Sequence, residues 1–198
     1  VYMRDNKTQE VFRSFGWSGE MPASQPGQDF LFVANTNLQG QKSDAKIEQH
    51  IEHQAVVQDD GSIIDTVVIR RKHVGTPGEL FFGVPNISYL RVYVPEGAEL
   101  LDAGGFVYPP EDVFRTPEKW YIQDSDLAKH EMNERFDGKT GTRVIESLNK
   151  TVFENWVATA PGEETSVYMV YKLPFSIETH EEIERSQVAA WSNTLMGK

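Results

Sequence analysis

Ile47-Glu48-Gln49-His50-Ile51-Glu52-His53-Gln54-Ala55-Val56-Val57-Gln58, then Asp59-Asp60-Gly61, then Ser62-Ile63-Ile64-Asp65-Thr66-Val67-Val68-Ile69-Arg70-Arg71-Lys72-His73 is the stretch that decides the fold class. Its first limb places Ile47, Ile51, His53, Ala55 and Val57 on one face, with Glu48, His50, Glu52 and Gln54 opposite. A period of two is the period of a strand. Asp59-Asp60-Gly61 turns the chain, since glycine accepts a positive φ without steric cost. The second limb returns through Ile63, Ile64, Val67, Val68 and Ile69. The whole reads as an antiparallel hairpin.

Strand signals continue on both sides. Upstream, Phe30 to Ala34 is a short apolar run that suits a buried strand. Downstream, Ile87 to Val94 carries Ile87, Tyr89 and Tyr93 on one face and Leu90, Val92 and Val94 on the other, which suits a central position. Glu99 to Ala103 reads as a short strand. Arg143 to Leu148 and Thr151 to Thr159 pair across Asn149-Lys150, and Thr165 to Leu173 alternates until Pro174 ends it. Many short strands without regular strand–helix alternation predict a mainly β chain: an antiparallel β-sandwich, immunoglobulin-like or related.

Helices are expected at both ends. Asp5 caps a first helix carrying Val11, Phe12 and Phe15, and Gly16 stops it before Trp17. Thr179 and Glu182 make a capping box for a last helix with Ile183, Ala190, Trp191 and Leu195. The expected division is 1–28 as helix and linker from a preceding domain, 29–175 as the sandwich, and 176–198 as the C-terminal helix. A long irregular insertion, 104–142, interrupts the sandwich, with a helix expected near Asp126 to Phe136. The chain begins at Val1, which reads as a piece of a longer protein.

The 198 residues carry a net charge of −11, which repels phosphate backbones and anionic lipid surfaces and argues against nucleic acid as a partner. No cysteine is present, so disulfides, thiolate zinc sites and thiol nucleophiles are excluded. No apolar run has the roughly 18–20 residues that span a bilayer.

Motifs of chemistry are scarce. Gly104-Gly105 lacks the spacing of a phosphate-binding loop, and no Gly-x-Ser-x-Gly elbow occurs. His130-Glu131 lacks the second histidine of a zinc-protease helix, and His50 and His53 fall on opposite faces of one strand. Asp124, Asp126 and Asp137 flank a helix and read as caps rather than calcium ligands. Paired carboxylates cannot be picked from 30 acids by spacing alone. No catalytic residue, metal set or cofactor is legible. Asn86-Ile87-Ser88 and Asn149-Lys150-Thr151 match the glycosylation sequon, a pattern frequent by chance.

An ordered set of residues carries a family resemblance. It comprises Tyr2, Asp5, Gln9, Gly16-Trp17, Gly19, Asp29-Phe30-Leu31, Asn35, Asn37, Gly40, Lys42 and Asp44. It continues with Asn86, Tyr89, Val92, Tyr93, Val94, Pro95 and Gly97, then Trp156, Pro161-Gly162-Glu163, Tyr171 and Leu173-Pro174. From Tyr2 to Phe175 this resembles the C-terminal part of a bacterial family filed as domain of unknown function 4012. The resemblance implies a membrane-anchored protein whose domain faces outside the cytoplasm, some members being linked with envelope polysaccharide. It carries over no catalytic residue, and the stretch from Gly104 to Gly141 departs from the pattern.

Two places are expected to hold any ligand contact: the polar loop from Asn35 to Asp44, with Asn35, Asn37, Lys42 and Asp44, and the pair Trp120-Tyr121 in the insertion. In the loop, turn chemistry outweighs ligand binding as a reading, because short polar side chains bond their own backbone first and Gly40 permits a positive φ. The aromatic pair suits stacking on sugar rings, whereas Trp156, in a strand, suits a core. Three functions follow as expectations: a non-catalytic interaction or scaffold module, a binder of cell-surface polysaccharide, or an envelope glycan-processing enzyme. The partners are correspondingly an envelope protein or a polysaccharide.

Overall fold

A computed structural model describes residues 1–178 apart from 24, 39, 115, 116 and 123. Two antiparallel sheets face each other, as the alternation predicts. Sheet A has the order β1 (Phe32–Asn37), β4 (Asn86–Pro95), β8 (Lys150–Thr159), β7 (Arg143–Ser147), β6 (Met132–Phe136). Sheet B has the order β2 (Ile47–Val57), β3 (Ser62–His73), β9 (Glu164–Ser176), β5 (Glu99–Gly104). Between them lie Val67, Ile69, Leu90, Val92, Phe153, Val167, Met169 and Tyr171, all buried. Each comes from the inward half of an alternating strand, so burial follows directly from the period of two.

The 47–73 hairpin forms as expected, and its register sets Ile51 opposite Ile69 and Val57 opposite Ile63. β4 is central, between β1 and β8. A helix α1 (Asn6–Ser14) is capped by Asp5, whose carboxylate accepts from Thr8 N at 2.8 Å. Gly16 then takes a φ of 70°. The C-terminal helix expected from Thr179 onward, with Ile183, Ala190, Trp191 and Leu195, lies outside the described residues.

Four expectations need correction. The first strand starts and ends later, at Phe32–Asn37, so Asn35 and Asn37 are strand residues rather than loop; β4 offers Leu90 and Ser88 as rungs, and the ladder overrides their turn preference. Gly40 does not use its tolerance of positive φ. It is small because a Cβ there would sit 2.5 Å from Asn37 Oδ1 and from Ser43 Oγ, and Gln41 takes the positive φ of 48° instead. The helix expected over 126–136 is only α2 (Ser125–His130); the rest is β6, held on sheet A by Glu134 against Arg143 at 2.7 Å. Pro174 does not end β9. It falls where the β3 register breaks, between Ser62 opposite Ser176 and Ile64 opposite Lys172, so the missing N–H interrupts no regular rung.

The two sheets differ on their outer faces. On sheet A, Tyr93, Ile145 and Val152 form one rung and pack under Met21 and Phe30. Beside them the insertion crosses the same face. Val107 N donates to Trp156 O at 3.1 Å, and Phe114 sits 5.0 Å from the Trp156 ring. Sheet B presents Thr66, Val68, Tyr168 and Val170 half-buried or exposed.

Candidate functional site

Both sheets end in an edge strand on one side, β1 and β2, and polar side chains bridge them there. The inward face of the β1 lead-in carries Asp29, Leu31, Val33 and Asn35. The inward face of β3 carries Asp65, Val67, Ile69 and Arg71. Strand polarity sets the acid of one against the acid of the other, and the amide against the guanidinium. β2 adds His53 at the first end and Gln49 at the second.

At the second end, Arg71 is 2 % exposed. Its guanidinium donates to Asn35 Oδ1, to Gln49 Oε1 at 3.1 Å and to Asn86 Oδ1 at 2.7 Å. Asp44 stands off at 3.9 Å from Arg71 and instead accepts from Asn86 Nδ2 at 2.8 Å. Burial lowers the Arg71 pKa, and Asp44 opposes that. Mostly neutral acceptors thus hold a buried cation.

At the first end, His53 Nε2 lies 3.1 Å from Asp65 Oδ2 and 3.6 Å from Asp29 Oδ2. The Asp65 side chain is 0 % exposed, and its Oδ1 has no hydrogen-bond partner among the described residues. Burial pushes the Asp65 carboxyl above its ordinary value, and the His53 contact opposes the rise. Tyr171 faces Asp65 across the rung. Burial, then the charges of Asp65 and Asp29, raise its phenol, yet its hydroxyl makes no aligned hydrogen bond.

A third cluster lies on the outer face of sheet A. Arg91 of β4, Glu154 of β8 and Arg143 of β7 form one rung. Glu154 is 0 % exposed, with Oε1 2.8 Å from Arg91 Nε and Oε2 bound by Arg143 and, at 3.0 Å, by the Tyr89 hydroxyl. The Oε1 contact is an ion pair without an aligned hydrogen bond. Glu131 spans the same two arginines at 2.6 and 2.8 Å. Burial raises the Glu131 carboxyl, but the bonds from Arg143 and Arg91 outweigh it and leave the pKa below its usual value. Burial likewise opposes the charge of Arg143, and its three glutamates outweigh that.

The residues singled out from sequence fall in different places. Asn35 and Asp44 meet at Arg71 and Asn86. Asn37 accepts from Gly40 N at 2.6 Å, and Lys42 lies 5.7 Å from the Phe81 ring centre. Trp120 and Tyr121 stand together on the surface, 74 % and 57 % exposed, with rings crossed at 81°. Trp156 is half-buried beneath the insertion with Tyr89 and Tyr108 rather than between the sheets. Asp124 caps α2 as expected, whereas Asp126 lies within that helix against Lys129 and Asp137 accepts from Thr140 N in the turn after β6, not at a helix end. His50 and His53 do face apart: His50 meets Glu52 at 3.5 Å while His53 turns inward. Asn86 of the first sequon is buried, and Asn149 of the second is exposed. Spacing along the chain could not find the Asp29–His53–Asp65 cluster, since each member comes from a different strand or lead-in. The one legible signal was a histidine and an acid on the apolar faces of one hairpin.

Comparison with protein families, curated proteins and solved structures finds no match for this chain.

Proposed function

We propose that this domain is a non-catalytic interaction and scaffold module of a larger bacterial envelope protein, extracytoplasmic and membrane-anchored in its full length. The sequence resemblance set out above motivates the location. Among the described residues no helix is long and apolar enough to cross a membrane.

One observation carries the non-catalytic reading. Glu131 and Glu154, the acid pair on the outer face of sheet A, are 10 % and 0 % exposed and each is cross-paired to two arginines. Acids so neutralised neither donate a proton to a glycosidic oxygen nor attack a sugar, because both roles need an accessible carboxyl facing substrate. The insertion above them instead turns Trp120, Tyr121 and Ile122 outward, with Ile122 91 % exposed. Large exposed apolar side chains on an anchored connection suit recognition.

A photo-crosslinking residue placed at Trp120 in the full-length protein, in its own cell envelope, is expected to give a discrete adduct. The same residue at Gln54, on the outer face of sheet B, is expected to give none. Glycan hydrolysis or transfer by the purified domain, lost in Glu131→Gln, would overturn the reading.

The crossed Trp120 and Tyr121 rings favour a second reading, a polysaccharide-binding module with those rings as the stacking surface. Glycan-array binding abolished by Trp120→Ala and by Tyr121→Ala supports it. Binding that survives both rejects that surface.

A further inference from the structure

We propose that Asp29, His53 and Asp65 form a binding site for a divalent first-row transition ion, zinc by default, that clips the two sheets together at their open edge. The inference stands apart from the interaction reading and rests on geometry and charge.

The three donor atoms, one from each side chain, lie within 4.8 Å of one another. The two histidine–carboxylate distances are 3.1 and 3.6 Å. Ligands about 2.0–2.2 Å from a tetrahedral zinc are separated from each other by roughly 3.3–3.6 Å. The side chains therefore need only small rotations to close around an ion.

The charge balance points the same way. Asp65 is fully buried, yet among the described residues no lysine or arginine pairs with it. Glu154, equally buried, has two arginines. The nearest side chain is His53, whose Nε2 faces two carboxylates and can satisfy only one of them with a single N–H. Asp29 spends its Oδ1 on Phe30 N at 2.7 Å and presents Oδ2 to the cluster. The second oxygen of Asp65 makes no aligned hydrogen bond among the described residues, although the Tyr171 hydroxyl faces this carboxyl, and an under-satisfied buried acceptor is costly. A divalent ion neutralises both acids at once.

The donor set selects the ion class. One imidazole with two carboxylates and no thiolate suits zinc and its first-row neighbours; all-oxygen sites suit calcium and magnesium. Three protein ligands leave a fourth position for water. Asp29 and His53 are 33 % and 27 % exposed, so that position reaches solvent. Asp29 leads into sheet A, while His53 and Asp65 belong to sheet B, so the ion would join the two sheets.

The test uses the full chain without a histidine tag, stripped by a chelator. Expected results are binding of one equivalent of Zn²⁺ by calorimetry, a Tm rise of roughly 5 °C at saturation, and tetrahedral visible bands with Co²⁺. His53→Gln and Asp29→Asn, both at part-exposed side chains, are expected to keep the metal-free Tm and weaken zinc at least about tenfold. His50→Gln is expected to bind as the parent does. Asp65→Asn is expected to lose binding while melting higher than the metal-free parent, since it removes a buried carboxyl that no lysine or arginine pairs among the described residues. Absence of Zn²⁺ and Co²⁺ binding at millimolar metal overturns the proposal. So does unchanged affinity in His53→Gln, or preference for Ca²⁺ over Zn²⁺.

Discussion

Glu154 shows how one residue sets the chemistry of a whole face. Its carboxylate is buried in a rung with Arg91 and Arg143, which are 28 % and 17 % exposed. Replacing it by glutamine leaves the two guanidiniums sharing Glu131, with Glu134 on Arg143 alone. Breaking a buried pair costs about 3–5 kcal/mol, and the partial exposure of the arginines places Glu154→Gln near about 3 kcal/mol. Urea unfolding measures this, and a loss within experimental error would contradict the rung as a stabilising element. Glu131 gives the pH dependence. Its folded pKa lies below the ordinary value, so its contribution is fully present above the unfolded value of about 4.3 and disappears as pH falls through the folded one. Between about pH 5 and 3 the parent should therefore lose stability more steeply than Glu131→Gln. Parallel slopes would show that the arginines do not favour its charged form. At this scale the sequence was nearly silent, because a rung across three strands is invisible until register is known.

At the scale of elements, period and punctuation carried most of the information. The alternation in 47–73 yielded its hairpin because a one-residue slip would turn every apolar side chain to the wrong face. Pattern also marked β4, apolar on both faces, as an inner strand, and it lies between β1 and β8. It failed where tertiary pairing overruled local preference. Met132 to Phe136 reads as helix alone but becomes β6 when Glu131 and Glu134 find Arg143 on β7. Asn35 and Asn37 read as loop but complete the β1 ladder. The turn between β7 and β8 shows the reverse, a sequence that fits its turn imperfectly. Leu148 and Asn149, one residue earlier than the Asn149-Lys150 turn expected, link the two strands with φ of 55° and 57°, the two-residue turn with both centres left-handed. Asn149 suits that geometry, but Leu148 is exposed and strained there. Leu148→Asn is expected to raise stability by about 0.5–1 kcal/mol, since asparagine tolerates the left-handed region and no packing is lost. A lower thermal midpoint would mean that Leu148 contributes a contact absent from this geometry.

At the scale of the whole molecule, the described residues form a sandwich with one outer face covered and the other left open, and the cover comes from the insertion and from the segment before β1. The insertion supplies part, through Val107 and Phe114 on Trp156. The segment before β1 supplies the rest: Met21 and Phe30 lie on Tyr93, Ile145 and Val152, and Lys150 donates to Pro22 O at 3.0 Å. Lys150 is buried, its charge disfavoured by desolvation, and its ammonium lies 4.6 Å from the Phe30 ring centre. α1 is held differently, by its own neighbours. Phe12 and Phe15 contact Trp17 at 5.8 and 5.0 Å, and Arg13 pairs with Glu20 at 2.7 Å. Residues 1–19 should therefore be removable with little change in stability, whereas removal of 1–28 strips Met21 from its cluster and takes the carbonyl from Lys150. Losing one buried methionine and one charged hydrogen bond costs about 2–4 kcal/mol. The two truncations, compared by chemical unfolding, are expected to differ by that amount. If both melt like the parent, the segment from Met21 is a linker lying on the sheet; if both collapse, α1 is part of the domain's own core.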